Sequence, residues 1–107
     1  MLRFFMHYGF HFLVPVIIGL LFYKKNTLAA ILILLSAILI DVDHLWANPI
    51  FDPNRCSINF HPLHTYWAIA IYFLLFIIKK TRIVGLALLV HIIADSLDCY
   101  FLSLELN

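Results

Sequence analysis

The chain has 107 residues, 64% of them hydrophobic and only 12% charged, with a net charge of +1. A soluble domain of this size has no interior large enough for so many Leu, Ile and Phe residues, and soluble chains carry about 25% charged residues. The sequence shows no basic patch or stacking platform for nucleic acid, and an integral membrane protein of one domain is the expected class.

The first apolar run, about residues 2–22, opens with Arg3 and contains His7, His11 and Pro15. It is too long for a signal-peptide core and has no small-residue cleavage site before Lys24-Lys25, so it reads as a retained span. Span two covers about 27–46 and ends in Asp41-Val42-Asp43-His44. Residues 47–60 form the one substantial loop, with Pro49, Pro53 and Asn54 as turn formers. Span three, about 62–78, starts at His61-Pro62-Leu63-His64, where proline suits the first helical position. Span four covers about 83–104 and holds His91, Asp95 and Asp98.

The expected fold is all-α: a polytopic four-transmembrane-helix bundle. Lys24, Lys25, Lys79, Lys80 and Arg82 lie in the two short turns, against Arg3 and Arg55 on the other side. The positive-inside rule then puts both turns in the cytoplasm and both termini outside. Trp46, Tyr66, Trp67 and Tyr100 fall near the outer interface as an aromatic belt. The polar residues are expected to face the outer side of the membrane.

Those polar residues are segregated by depth. At about 1.5 Å per residue, His7 and His11 lie roughly 8 and 14 Å in from the outer end of span one. Asp41, Asp43 and His44 close span two on the same side, His61 and His64 open span three there, and His91, Asp95 and Asp98 occupy the outer half of span four. The inner half has almost no ionisable group. Burying such residues in a bilayer costs about 2.5–3.5 kcal/mol each on insertion scales, so they need partners.

His91, Asp95 and Asp98 share one helix face, at spacings of four and three, and offer an imidazole and two carboxylates to one ion or two. Asp41 and His44 share a face, while Asp43 points elsewhere unless the helix distorts. The expected ligands are His11, Asp43, His44, His61, His64, His91 and Asp95, with His7 behind them in support. Asp41 and Asp98 are the candidate general bases, and Asp43 is an alternative to Asp41. Arg55 is a candidate phosphate contact at the mouth. Cys56 and Cys99 both fall on the outer side, where an oxidising compartment could join them. A mixed His and Asp set without thiolate suits one or two Zn²⁺ ions, with Mn²⁺ or Fe²⁺ as alternatives.

A histidine in span one, Asp-x-Asp-His ending span two, a His/His pair opening span three and His-x-x-x-Asp in span four resemble a known group. These are the bacterial membrane-bound metal-dependent hydrolases of the YdjM type (LexA-binding, inner-membrane-associated hydrolases), including a compact subgroup of about this length. The resemblance implies a helical fold distantly similar to zinc-dependent phospholipase C and the S1/P1 nucleases, with a multi-metal phosphoesterase site. On it, His11, Asp43, His44, His64, His91 and Asp95 take the motif positions. The wider group shows His-Arg-x-x-Thr-His in span three; here the histidines are three apart with no arginine between them, which leaves the choice between His61 and His64 open. The resemblance also implies a bacterial inner membrane, with the polar residues facing the periplasmic side. The depth of the site makes a lipid or lipid-linked phosphoester in the outer leaflet the expected substrate, with membrane lipid as partner, and the exposed helix faces leave room for a homo-oligomer. Facing histidines also admit a haem carrier, intramembrane Asp and His admit a metal or proton conduit, and a degenerate site would leave a structural protein.

Overall fold

A computed structural model describes residues 2–50 and 55–106, and every regular element among them is helical. Helix α1 (Leu2–Tyr8) runs through a π-helical turn, Gly9–Leu13, into α2 (Val14–Phe22). Pro15 has no N–H and its ring crowds the carbonyl four residues back, that of His11, so the ladder widens just before it. The widened turn carries His11 inward.

Span two is half α-helix. After α3 (Thr27–Leu35) the chain tightens into a 3₁₀-helix, Ser36–Trp46, far longer than the three or four residues usual for that form. The tightening has a clear effect on direction. At 3.0 residues per turn Ala37, Ile40 and Asp43 line up, whereas at 3.6 Asp43 would swing about 120° from Ala37. Ala37 and Asp43 are both buried. The distortion that the sequence needed to turn Asp43 inward is therefore present.

The third helix is shorter than the 62–78 expected. Pro62–His64 forms a separate 3₁₀ turn, Thr65 is extended, and α4 spans only Tyr66–Ile77. Thr65 is the reason: its hydroxyl accepts the Ala68 N–H at 3.4 Å and caps α4 there. At the other end, Thr81 Oγ1 donates to Leu75 O (2.7 Å) and Arg82 Nε to Phe76 O (3.1 Å), satisfying carbonyls that the helix end leaves open. Helix α5 (Arg82–Leu106) then returns through the whole molecule. Pro53 and Asn54 of the expected loop, with Asp52, lie outside the described residues.

Three segments are long and apolar enough to cross a membrane: Phe5–Phe22, Thr27–Trp46 and Lys79–Leu104. Helix α4, at 12 residues, reaches about 18 Å against a hydrocarbon core of about 30 Å. The distribution of side chains is the reverse of a soluble protein's. Among the described residues five of the ten buried apolar side chains are alanine, while Phe22, Leu39, Trp46 and Trp67 are among many large side chains left exposed. Small residues let helix backbones approach, which is how helices associate when lipid already solvates their apolar surface.

Gly85 shows how close that approach is: a Cβ there would overlap the backbone of Leu75 and Phe76 in α4. Cys56 and Cys99 form a disulfide with Cα atoms 5.0 Å apart, closing a 43-residue separation. By loop-closure entropy this is worth about 4 kcal/mol. It ties the segment leading to His61 to α5 one turn beyond Asp95.

Gly85→Ala is expected to force α4 off α5 and cost about 1–3 kcal/mol, read as a lower Tm in detergent. Gly9→Ala meets nothing within 4 Å and leaves Tm unchanged.

Candidate metal centre

Four donor atoms converge between the 3₁₀ half of span two, the Pro62–His64 turn and α5. His64 Nε2 lies 2.9 Å from Asp95 Oδ2, 3.3 Å from Asp41 Oδ1 and 3.3 Å from His91 Nε2. His91 Nε2 lies 3.1 Å from Asp41 Oδ1 and 3.2 Å from Asp95 Oδ2. His64, His91 and Asp95 are buried, and Asp41, with a third of its side chain exposed, forms the open corner.

The chemistry of these contacts suits a shared cation. His64 Nδ1 is 2.8 Å from Asp43 Oδ2, an acceptor, so in the neutral ring Nδ1 carries the proton and the Nε2 lone pair faces inward. That lone pair meets two carboxylate oxygens and a second imidazole nitrogen. A proton satisfies one pair along one line, whereas here each atom is nearly equidistant from its neighbours. Four donors held about 2.0–2.1 Å from one ion lie about 3.3–3.4 Å apart in a tetrahedron. The observed 2.9–3.3 Å fits that figure, slightly compressed.

A second donor group shares Asp95. Its Oδ1 is 3.3 Å from His11 Nε2 and 3.9 Å from His7 Nδ1. His11 Nδ1 donates to the carbonyl of His7 at 2.8 Å, which fixes its Nε2 as another inward lone pair. His11 Nε2, His7 Nδ1 and Asp95 Oδ2 are all buried and make no well-directed hydrogen bond, although each faces an oppositely polar atom at 2.9–3.9 Å. Buried polar atoms so placed are uncommon, and three in two adjoining donor groups suit the ligands of a cation. Asp95, with one oxygen in each group, has the position of a bridging carboxylate.

Asp43 stands behind the first group. Its Oδ2 accepts from both His64 Nδ1 and the Leu63 N–H, each at 2.8 Å, and Tyr72 donates its hydroxyl to Leu63 O at 2.7 Å. The peptide before His64 is thus gripped on both sides. A carboxylate holding the far nitrogen of a ligating imidazole fixes its tautomer and direction.

Asp43, His44 and His61 form a third cluster close enough to hold an ion. Its rings, however, are stacked: His44 and His61 have centroids 3.9 Å apart and planes only 25° from parallel. In-plane lone pairs of nearly parallel rings do not aim at one point, so this cluster is not preformed for a shared ion. Burial and the neighbouring His44 ring hold the His61 pKa below the usual imidazole range, which keeps the ring neutral at pH 7.

The expected site residues are thereby sorted. His64, His91, Asp95 and His11 are inward donors. His7, expected behind the ligands, presents Nδ1 beside His11. Asp43, expected as a ligand, has its oxygens committed to His64, Leu63 and His44. His44 and His61 pair with each other. Asp41 is one of the four converging donors instead of a detached base. Asp98 is not a free carboxylate: Arg3 holds both its oxygens, Nε to Oδ1 at 2.8 Å and Nη2 to Oδ2 at 3.1 Å. Arg55 donates to Ile50 O and lies 4.8 Å from the Phe60 ring centroid, beside the third cluster.

The model of a family of unknown function (DUF6122) matches residues 1–102. The chain belongs to that family. No curated protein and no solved structure matches it. The assignment of roles within this DUF6122 chain therefore rests on its own geometry.

Two contributors escaped the sequence reading. Tyr72 was hidden among the aromatic residues of α4, although a hydroxyl within an apolar run needs an acceptor. Arg3 served only to orient the chain, although its spacing of four and eight from His7 and His11 puts all three on one face.

Asp43→Asn is expected to weaken metal binding about 10–100-fold while the helical content stays intact, measured by competition with a chelating dye. Tyr72→Phe should weaken it in the same direction and by less.

Proposed function

We propose that this chain is a membrane-embedded, metal-dependent hydrolase acting on a lipid or lipid-linked phosphoester. In this reading the bundle has four spans with both termini outside, lies in a bacterial inner membrane and opens its site to the periplasmic side. Zinc is the favoured ion, with His64, His91, Asp41 and Asp95 at one position and His7, His11 and Asp95 at the next. The observation that carries the proposal is the set of five donor–donor distances of 2.9–3.3 Å around one point, joined through Asp95 to a second group.

A divalent ion so held supplies a Lewis acid, which acidifies water and polarises a phosphoryl oxygen. The chain's own residues do the rest. Asp95 sets the spacing between the two positions, Asp43 and Tyr72 aim His64, and His7 O aims His11. Asp41, the exposed corner, is the donor that would swing off the ion to admit water and then take its proton. The resemblance to the YdjM-type hydrolases and, at greater distance, to zinc-dependent phospholipase C points to the same reaction class.

Geometry favours this over the other readings. Axial histidines on a haem stand on the order of 4 Å apart across the porphyrin; His64 and His91 nitrogens are 3.3 Å apart, with carboxylates where the ring would lie. A conduit needs polar groups through the full thickness. Beneath the donors Leu34, Ala37 and Ala87 pack with Ile18, Ile83 and Leu86 into an apolar plug.

Purified protein is expected to retain zinc, to hydrolyse a phosphomonoester or phosphodiester lipid in mixed micelles, and to lose both on dialysis against a chelator. Asp95→Ala should remove the metal from both positions; undiminished metal content in that variant contradicts the site. Because imidazole must be deprotonated to ligate, bound zinc should fall as the pH is lowered.

A further inference from the structure

We infer that Arg3, released by Asp98, binds the phosphate of an anionic phosphoester at the mouth of the second donor group. The inference rests on the metal-dependent phosphoester reading and adds the residue that grips the phosphate.

Arg3, His7 and His11 follow one another at intervals of four along the first span, and Asp98 sits one turn beyond Asp95 on α5. The Arg3 guanidinium meets both Asp98 oxygens in a fork-to-fork pair. The same Asp98 Oδ1 is 3.9 Å from His7 Nδ1, a distance Asp95 Oδ1 matches from its own side. Asp98 therefore stands between two cationic attractions: the guanidinium on one side and the metal position on the other. A dication among His7, His11 and Asp95 draws that carboxylate toward itself and weakens its hold on Arg3.

What replaces Asp98 on Arg3 must have the same shape and charge. Two non-bridging oxygens of a phosphate present the planar pair of acceptors that a guanidinium takes bidentately. The charges agree as well. Two dications with the carboxylates of Asp41, Asp95 and Asp43 (behind His64) and four neutral imidazoles leave one positive charge, and the Arg3–Asp98 pair adds none. An anionic phosphate offsets that excess. Side-chain exposures of 16% and 19% place the pair at the rim, within reach of an entering headgroup yet poorly screened.

The test uses zinc-loaded full-length protein in phosphatidylcholine nanodiscs, with inorganic phosphate as the probe. Zinc is counted by mass spectrometry and phosphate affinity by calorimetry. Arg3→Gln should keep its zinc and bind phosphate about tenfold or more weakly. Arg3→Lys, which keeps the charge but loses the fork, should fall between, and Lys25→Gln should match the wild type. Asp98→Asn should bind phosphate more tightly. Wild-type affinity in Arg3→Gln at full zinc, or no gain in Asp98→Asn, overturns the inference and leaves the metal reading standing. A wild-type protein that holds no zinc removes both. Should Arg3→Gln also lose zinc, Arg3→Lys decides: weaker phosphate at full zinc upholds the inference, and unchanged affinity overturns it. Doping the discs with phosphatidate separates the sources. Competition with inorganic phosphate marks a lipid headgroup, and its absence marks a soluble phosphoester, with the Arg3 effect required in either arm.

Discussion

Two imidazole nitrogens and two carboxylate oxygens face one another across about 3 Å inside an apolar bundle, and this arrangement governs the rest of the molecule. With both imidazoles neutral such atoms repel, because each presents electron density to the others in an apolar surrounding. Protons relieve such a contact one line at a time. A cation relieves all of it at once, and the near-equal spacing is what a coordination shell needs. Asp95 extends the same logic to His7 and His11.

Each irregularity of the backbone serves that meeting. The π turn before Pro15 brings His11 inward and lets its Nδ1 reach the His7 carbonyl. The long 3₁₀ stretch turns Asp43 to the same side as Ala37, behind His64. The Pro62–His64 turn is held by Asp43 and Tyr72, and the Cys56–Cys99 bond ties the segment leading to it to α5. Helix α5, which carries His91 and Asp95 four residues apart, stays α-helical from Arg82 to Leu106, and that spacing puts the two on one face. Departures from regular helix concentrate at functional sites because the side-chain direction they gain outweighs the hydrogen bonds they loosen.

Much of this was legible in the residues themselves. The apolar runs gave the helices, and the gathering of His and Asp at one depth gave the level of the site. His91 with Asp95 followed from helical period, as did His7 with His11. What the sequence hid was direction wherever the helix is not α: Asp43 pointed away at 3.6 residues per turn and points in at 3.0. Between His61 and His64 no spacing rule could choose, because the turn that separates them is neither helix nor strand. Pairings across the bundle were equally hidden. Arg3 and Asp98 are 95 residues apart, and a carboxylate on the ligand face looked like a base until its guanidinium partner was seen.

The central claim is that a cation sits where His64, His91, Asp41 and Asp95 converge, and X-ray absorption at the zinc edge of the loaded protein tests it most directly. The account predicts a first shell of nitrogen and oxygen at about 2.0–2.1 Å with the multiple-scattering signature of imidazole, lost from the remaining zinc when His64 and His91 are both replaced by alanine. A shell of oxygens alone, or an imidazole signature unchanged in that double variant, would contradict it.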